Sequence, residues 1–221
     1  MFRECRDEAE WKKARTMYLT ASDAANYCGI NPFDNQGQLK LWEEKTGLKA
    51  RPDISNKGAV QYGKKAEQYL RNLFLLMYAR YGWEFYRYDQ YGLWVSDEHP
   101  FMAATLDCMV KDSKQDIWDL EVKTTTVHNG EALKAWRGGE LPINYWVQEI
   151  HQMICAPMVV GAITFAHVMT EWNPDESYLI TTFHRRDEQD VKDDMPWVLE
   201  KAIEMNEMIT TKRRPNVVIK I

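Results

Sequence analysis

The segment 117–124 constrains the fold more than any other part of the sequence, because its apolar and polar side chains alternate strictly. A repeat of two residues predicts a β-strand with one face in the core and the other face available for chemistry or solvent. The apolar face carries Trp118, Leu120 and Val122, and the polar face carries Asp119, Glu121 and Lys123.

The rest of the chain divides into segments of helical and of strand periodicity. Helices are predicted at 7–18, 36–45, 57–80, 131–136, 142–155 and 187–211, with a short one after Thr20 that Gly29 closes and a bend at Pro196. Strands are predicted at 83–88, 92–96, 104–110, 117–124, 159–168 and 178–184. This order predicts an α/β fold, a central mixed β-sheet flanked by helices. We expect one domain over 1–221, with N-terminal helices at 1–56, a core at 57–185 and a C-terminal helix and tail at 186–221.

Composition places the chain among soluble globular proteins, since 45% of its 221 residues are apolar and 28% are charged. No run approaches the ~18 apolar residues that span a bilayer, and the first residues lack the apolar stretch of a signal peptide. We therefore expect an intracellular protein with no membrane partner. The cysteines form no C-x-x-C pair, which predicts free thiols, mostly in the core. They are Cys5, Cys28, Cys108 and Cys155.

The net charge of −5 at first opposes a nucleic-acid partner. Carboxylates that gather around a divalent cation are neutralised by it, however, and a DNA groove can be basic locally. Short basic clusters are available for such a groove, although each one alone is typical of a solvated surface. They are Lys12, Lys13 and Arg15; Lys64 and Lys65; Lys134 and Arg137; and Lys212, Arg213 and Arg214.

Carboxylates on neighbouring predicted strands indicate a metal site. Glu121 and Lys123 would present a carboxylate and an ammonium group ~6–7 Å apart along the strand. This pair suits a metal ligand beside a group that positions or deprotonates water, or that neutralises charge in the transition state. Asp107 lies in the predicted strand 104–110, which we expect to form a hairpin with the Glu121 strand. A bare Glu-x-Lys is more often an ordinary solvated strand face, so the pair needs this context.

Two helices offer further polar groups. Glu67 follows Gly63 by one helical turn, and the missing side chain at Gly63 would allow another element to approach closely. Gln148 lies on the polar side of the helix after Pro142. Both residues have a plain alternative reading as surface positions.

Together these residues resemble the YqaJ-like viral recombinases, the lambda exonuclease family. The resemblance runs from about Arg15 to Met153 and is specific as a set. The matching motifs, in order, are Arg15 with Thr20-Ala-Ser22, Gly63-x-x-x-Glu67, Asp107, Glu121-x-Lys123 and Tyr145-x-x-Gln148.

The resemblance implies a PD-(D/E)XK, or restriction-endonuclease-like, nuclease fold with a divalent metal. Asp107 and Glu121 would be ligands of Mg²⁺, or of Mn²⁺ as a substitute. The resemblance also implies a metal position at Val122 and a second metal supported by Glu67. Lys123 would interact with the attacking water, and Gln148 would steady the site. Arg15 and Ser22 would bind a terminal 5′-phosphate, and Thr20 and Arg137 would contact the DNA.

Two departures from the family pattern matter. The family's aspartate usually stands between Pro and Gly, whereas Asp107 stands between Leu106 and Cys108. This leaves Asp119 as a fallback ligand on the Glu121 face. The four-cysteine pattern of the iron–sulfur relatives does not occur in the sequence.

The function that the resemblance implies is 5′-to-3′ digestion of linear double-stranded DNA, which generates single strands for phage-type homologous recombination. It further implies a homotrimeric ring, a single-strand annealing protein as partner, and a phage or prophage protein acting in the bacterial cytoplasm. Two alternatives stay open. One is an endonuclease with the same metal site, and the other is a non-catalytic module that binds DNA ends.

Overall fold

The computed structural model describes residues 1–216 as helices, strands and connections. The helices are α1 (Glu8–Arg15), α2 (Ala24–Tyr27), α3 (Gly37–Lys45), α4 (Gly58–Tyr78), α5 (Gly130–Arg137), α6 (Ile143–Cys155) and α7 (Gln189–Thr210). The strands are β1 (Phe2–Glu4), β2 (Leu19–Thr20), β3 (Glu84–Arg87), β4 (Gly92–Val95), β5 (Met102–Ala104), β6 (Met109–Lys111), β7 (Ile117–Val127), β8 (Gly161–Thr170) and β9 (Ser177–Arg185). Short 3₁₀ turns occupy Ala21–Asp23 and Ala79–Tyr81.

A five-stranded mixed sheet in the order β3-β6-β7-β8-β9 carries the polar strand face. Strands β7 and β8 are parallel, and the other neighbours are antiparallel. Helices α5 and α6 lie between β7 and β8 in sequence, as a parallel connection requires a long crossover. The α/β fold with a mixed sheet flanked by helices is therefore confirmed.

The structure adds a second, four-stranded mixed sheet in the order β1-β4-β5-β2. Two of its strands, β1 and β2, come from the segment 1–56, where only helices were predicted. Both are too short, at three and two residues, to show a period in sequence. Their partners β4 and β5 follow much later in the chain, so this pairing is a tertiary contact that no local pattern reports.

The prediction of one continuous strand over 104–110 was wrong. Strand β5 ends at Ala104 in the four-stranded sheet, and β6 begins at Met109 in the five-stranded sheet. Asp107 lies in the connection between the two sheets. Apolar residues on both sides of Asp107 gave the connection the appearance of a strand.

Helix α4 packs on the apolar face of β7, with Gly63 inside the helix and Gly82 shortly after its end. A Cβ atom at Gly63 would lie 3.2 Å from Oγ1 of Thr124, so the expected close approach at Gly63 is present. Gly82 ends the helical region with φ at 83°, in the left-handed region that favours glycine. The apolar residues of α4 and β7, including Leu70, Phe74 and Leu120, share one core cluster.

The cysteines and the apolar character of the helices can be compared with the sequence-based expectations. All four cysteines are free and buried, as predicted. Within residues 1–216 there is no helix that combines the length and the apolar character needed to cross a membrane.

Candidate active site

The polar face of β7 is buried because helix α6 covers it. Glu121 is 3% exposed and Asp119 is fully buried. The opposite side of α6 contributes Val147, Ile150 and Met153 to a second core cluster with α2 and α7. Helix α6 is thus packed on both sides, and its polar residues face the sheet instead of solvent.

Glu121 is the centre of a hydrogen-bond network. Its Oε1 accepts from Nζ of Lys123 at 2.5 Å and from Nε2 of Gln148 at 2.5 Å. Its Oε2 accepts from Nε2 of Gln152 at 2.6 Å. Lys123 also donates to Oε1 of Gln148 at 3.1 Å, which closes the set. The sequence-predicted residues Glu121, Lys123 and Gln148 are therefore in direct contact.

Asp107 joins this network through the main chain of β7. Its Oδ2 accepts from the amide of Val122 at 3.0 Å, and the amide of Leu120 donates to the carbonyl of Cys108 at 2.8 Å. These two bonds hold the connection between the sheets against β7. Burial, and then repulsion from Glu121, raises the pKa of Asp107 well above its usual range.

Glu67 approaches from α4 and is linked to Asp107 by Arg71. The Nη1 atom of Arg71 donates to Oε1 of Glu67 at 3.3 Å and to the carbonyl of Asp107 at 3.2 Å. Arg71 is 8% exposed, and the ring of Tyr88 covers its guanidinium at 4.0 Å. Burial and the charge of Glu121 raise the pKa of Glu67. Arg71 thus ties the carboxylate of Glu67 to the main chain at Asp107.

Asp119 is a buried carboxyl group of the site that lacks hydrogen-bond partners. Neither of its carboxyl oxygens has a hydrogen-bond partner among the described residues, and Oε1 of Gln152 also lacks one. Burial, and then Glu121 and Asp107, raises the pKa of Asp119 well above its usual range. An unpaired buried carboxylate is costly, so this position favours an uncharged or a neutralised state.

The donor set fits a divalent cation by its chemistry. Four carboxyl groups gather here, those of Glu67, Asp107, Asp119 and Glu121. Among residues 1–216, the cations within salt-bridge distance of them are Arg71 and Lys123. Hard oxygen donors in excess of cationic side chains are what Mg²⁺ or Mn²⁺ binds. Among residues 1–216, no three side chains of the ligand types are arranged to hold a metal as they stand. Oε1 of Glu121 already accepts two hydrogen bonds and Oε2 accepts one, so Oε2 retains a lone pair that could ligate the ion.

The Lys123 side chain is 15% exposed and surrounded by negative charge. Burial alone would lower its pKa, but the carboxylates of Glu121 and Asp107 outweigh burial and raise the pKa of Lys123 to about 12. Lys123 is therefore an ammonium group at neutral pH in the metal-free protein.

A second polar cluster lies at the end of α1. The Nη2 atom of Arg15 donates to Oγ of Ser22 at 2.7 Å, and Oγ of Ser22 lies 3.1 Å from Oγ1 of Thr20. Asp23 beneath them is fully buried and pairs with Lys45 at 3.1 Å and with Arg51 at 2.5 Å. The arrangement leaves the guanidinium of Arg15 without a carboxylate partner within salt-bridge distance among the described residues.

One cavity of about 840 Å³ joins the two clusters. Its walls include Glu67, Asp107, Glu121 and Gln148 on one side and Arg15, Thr20 and Ser22 from the other cluster. Three of the sequence-predicted site residues, Lys123, Val122 and Arg137, do not line it. Lys123 contacts two residues that do, Glu121 and Gln148. Val122 reaches the site through the hydrogen bond that its main-chain amide donates to Asp107. The guanidinium of Arg137 lies over the ring of Tyr178, at 5.4 Å from its centroid.

Sequence reasoning missed Arg71, Gln152 and Tyr88. Arg71 stands four residues after Glu67, so the helical period of α4 could have placed it on the Glu67 face. Gln152 stands four residues after Gln148 and could have been found in the same way. Tyr88 follows an edge strand, and nothing in the local sequence connects it to the site.

The sequence and the fold both have known counterparts. The model of the YqaJ-like viral recombinase domain matches residues 10–159, which is more than half of the chain. No curated protein matches the sequence significantly.

The fold is similar to that of LHK-Exo, an alkaline exonuclease from Laribacter hongkongensis. The TM-score is 0.63 at 18% identity, over 93% of this chain and 96% of that chain. LHK-Exo in complex with dAMP gives the same values. At this identity the likeness shows the fold, which is of the PD-(D/E)XK type. The match over residues 10–159 shows that the chain belongs to the YqaJ-like viral recombinase family.

Proposed function

We propose that the chain is a metal-dependent DNA exonuclease that digests linear double-stranded DNA from its 5′ ends and so generates single strands for phage-type recombination. The observation that carries the proposal is the shared cavity, which has carboxylates on one wall and the Arg15 cluster on another. Membership of a viral recombinase family and a fold similar to an alkaline exonuclease support a nuclease of the phage recombination type.

Asp107 and Glu121 would hold Mg²⁺, or Mn²⁺ in its place, with Glu67 beside them. Divalent ions at such a site stabilise the negative charge that develops on the attacking and leaving oxygens of a phosphodiester. Val122 contributes by its amide, which fixes the carboxylate of Asp107 against β7. Arg71 contributes by holding Glu67 to the same connection.

Lys123 acts as a cation in this account. In the metal-free protein its raised pKa keeps the ammonium group charged. With the same charge at the metal-loaded site it would donate hydrogen bonds and offset the excess negative charge of the phosphate oxygens. Gln148 contacts both Lys123 and Glu121 and therefore fixes the distance between the charge-neutralising group and the carboxylate.

Arg15 and Ser22 would bind the terminal 5′-phosphate. A guanidinium and a hydroxyl 2.7 Å apart can donate to two oxygens of one phosphate, and charge-assisted hydrogen bonds of this kind are strong. Thr20 steadies Ser22 through the contact between their hydroxyl groups. The buried Asp23 ion network beneath them fixes the backbone of the turn.

Linear and covalently closed circular duplexes of one sequence test the proposal, with Mg²⁺ or with EDTA. We expect degradation of the linear DNA only, and only with Mg²⁺. Cutting of the closed circle at a comparable rate would replace the exonuclease with an endonuclease. Binding of DNA ends without cleavage in Mg²⁺ or Mn²⁺ would replace it with a non-catalytic module.

A further inference from the structure

Tyr88 presents an aromatic ring to the cavity on its carboxylate side. It is 38% exposed and lines the cavity together with Glu67, Asp107 and Glu121. The buried guanidinium of Arg71 covers one face of the ring at 4.0 Å. No second aromatic ring packs on Tyr88 among the residues that the structure describes. The ring is thus supported on one face and accessible from the cavity.

The support is rigid. Arg71 donates both to Glu67 and to the carbonyl of Asp107, so the ring sits on a group that is itself bonded to two parts of the site. A stacked guanidinium also holds the ring orientation through cation–π attraction.

The other aromatic residues of the cavity are arranged differently. Trp11 lies under Arg15 at 4.4 Å, donates to Thr105 and packs near Tyr91, with ring centroids 6.4 Å apart. These two rings belong to the Arg15 side. Tyr88 is the ring beside the carboxylates, where a phosphodiester would be hydrolysed.

We propose that Tyr88, held on Arg71, is the stacking platform for the nucleobase next to the phosphodiester that is hydrolysed. The proposal rests on the proposed nuclease function and adds the group that would bind the base. Stacking suits an enzyme that must digest any sequence, because every base has a π-face and no base edge is recognised. The platform would keep the terminal nucleotide unpaired and its phosphate near Asp107 and Glu121.

The test uses a linear duplex with 2-aminopurine at the 5′-terminal nucleotide and phosphorothioate linkages at the ends, bound in Ca²⁺. Stacking on an aromatic ring quenches 2-aminopurine, so emission is compared between complexes at saturating protein. We expect the Tyr88→Leu complex to be brighter than the wild-type and Tyr88→Phe complexes, which should match each other. Equal emission from all three would overturn the proposal. So would a Tyr88→Phe complex as bright as Tyr88→Leu, since the hydroxyl would then be the active group.

Tyr86→Leu is the matched control. Tyr86 is similarly exposed, at 43%, and lies two residues away, but its ring lies over Lys111 and it does not line the cavity. We expect the Tyr86→Leu complex to behave as wild type. A brightening equal to that of Tyr88→Leu would show a general effect of the edge strand and would overturn the platform.

Affinity provides an independent readout. Tyr88→Leu should raise the Kd for the duplex about 5- to 150-fold, which corresponds to the ~1–3 kcal/mol of one base stacked on an aromatic ring. An abasic 5′-terminal nucleotide should weaken wild-type binding similarly and leave Tyr88→Leu nearly unchanged, as expected for one shared contact. Additive losses would contradict a contact between ring and base.

The two proposals fail in different ways. Wild-type protein that quenches the terminal base but cleaves nothing in Mg²⁺ would keep the platform and refute the nuclease. Protein that cleaves in Mg²⁺ but shows no dependence of emission on Tyr88 would keep the nuclease and refute the platform.

Discussion

The ammonium nitrogen of Lys123 lies 2.5 Å from Oε1 of Glu121, although the two residues are only two positions apart on one strand. Their side chains point to the same face and are pressed together by helix α6, whose Gln148 contacts both. Lys123 and Glu121 therefore neutralise each other's charge in the metal-free protein. Glu121 and Asp107 raise the pKa of Lys123 to about 12, so Lys123 is a cation in the metal-free protein.

Replacement of Lys123 tests its role as a cation. Lys123→Ala should lower kcat by about 10²- to 10³-fold, the loss typical of a donor that acts on transition-state charge. The Kd for DNA should stay nearly unchanged. Lys123→Arg should not restore kcat, because the guanidinium is broader and fits differently beside Glu121. Full activity of the Arg variant would show that any cation at this position suffices and that the fit of the ammonium group beside Glu121 does not matter. Lys114→Ala, at an exposed turn, is the control.

Asp107→Asn and Glu121→Gln should each abolish cleavage without unfolding the protein. Each change removes a hard anionic oxygen ligand but keeps the shape of the side chain and the apolar face of β7. Cleavage rates and circular dichroism check the two parts, with Glu131→Gln on the exposed side of α5 as the control. Full activity of Asp107→Asn would move the ligand role to Asp119.

Asp119 should make the metal-free protein less stable as the pH rises. Its folded pKa is raised by burial and by Glu121, so its contribution to stability is fully present below the unfolded pKa of ~3.9 and is lost as pH rises through the folded pKa. Asp119→Asn removes this dependence. We expect the variant to be about 1–3 kcal/mol more stable than wild type at neutral pH and to lose the advantage near pH 4.

Denaturant unfolding at several pH values in EDTA measures this difference. Asp175→Asn, in the exposed turn after β8, should show no such gain. An Asp119→Asn variant that is less stable than wild type at neutral pH would contradict an unpaired, destabilising carboxyl group at this position.

Arg15 and Ser22 should give the enzyme a preference for phosphorylated ends. Linear DNA with a 5′-phosphate should be digested faster than the same DNA with a 5′-hydroxyl, and Arg15→Ala should remove most of the difference. Lys13→Ala, an exposed basic residue on the same helix, should keep it. Equal rates on both ends with wild-type protein would remove the 5′-phosphate pocket from this account.

The sequence predicted the elements that local periodicity determines. The alternation around Glu121 and the helical repeat of α4 and α6 each depend on a few neighbouring residues, and the structure contains all three elements. The expected hairpin placed Asp107 near Glu121, and the spacing from Gly63 singled out Glu67. The resemblance then gave Asp107, Glu67 and Gln148 their roles in the site.

The remainder depends on contacts between distant segments. The strand predicted around Asp107 is broken because its two halves pair with different sheets, which the apolar pattern cannot distinguish. The burial of Asp119 depends on α6 covering β7, so sequence alone left that face open to solvent. Tyr88 comes beside Arg71 only through tertiary packing.

Digestion of one linear duplex labelled at the 5′ end or at the 3′ end of a strand tests the central claim most directly. Wild-type protein and Glu121→Gln are compared in Mg²⁺ and in EDTA. The account predicts that wild-type protein in Mg²⁺ releases the 5′ label first as a mononucleotide, while EDTA or Glu121→Gln prevents release. Cleavage that persists in EDTA or in Glu121→Gln would contradict a metal-dependent nuclease built on the β7 carboxylates.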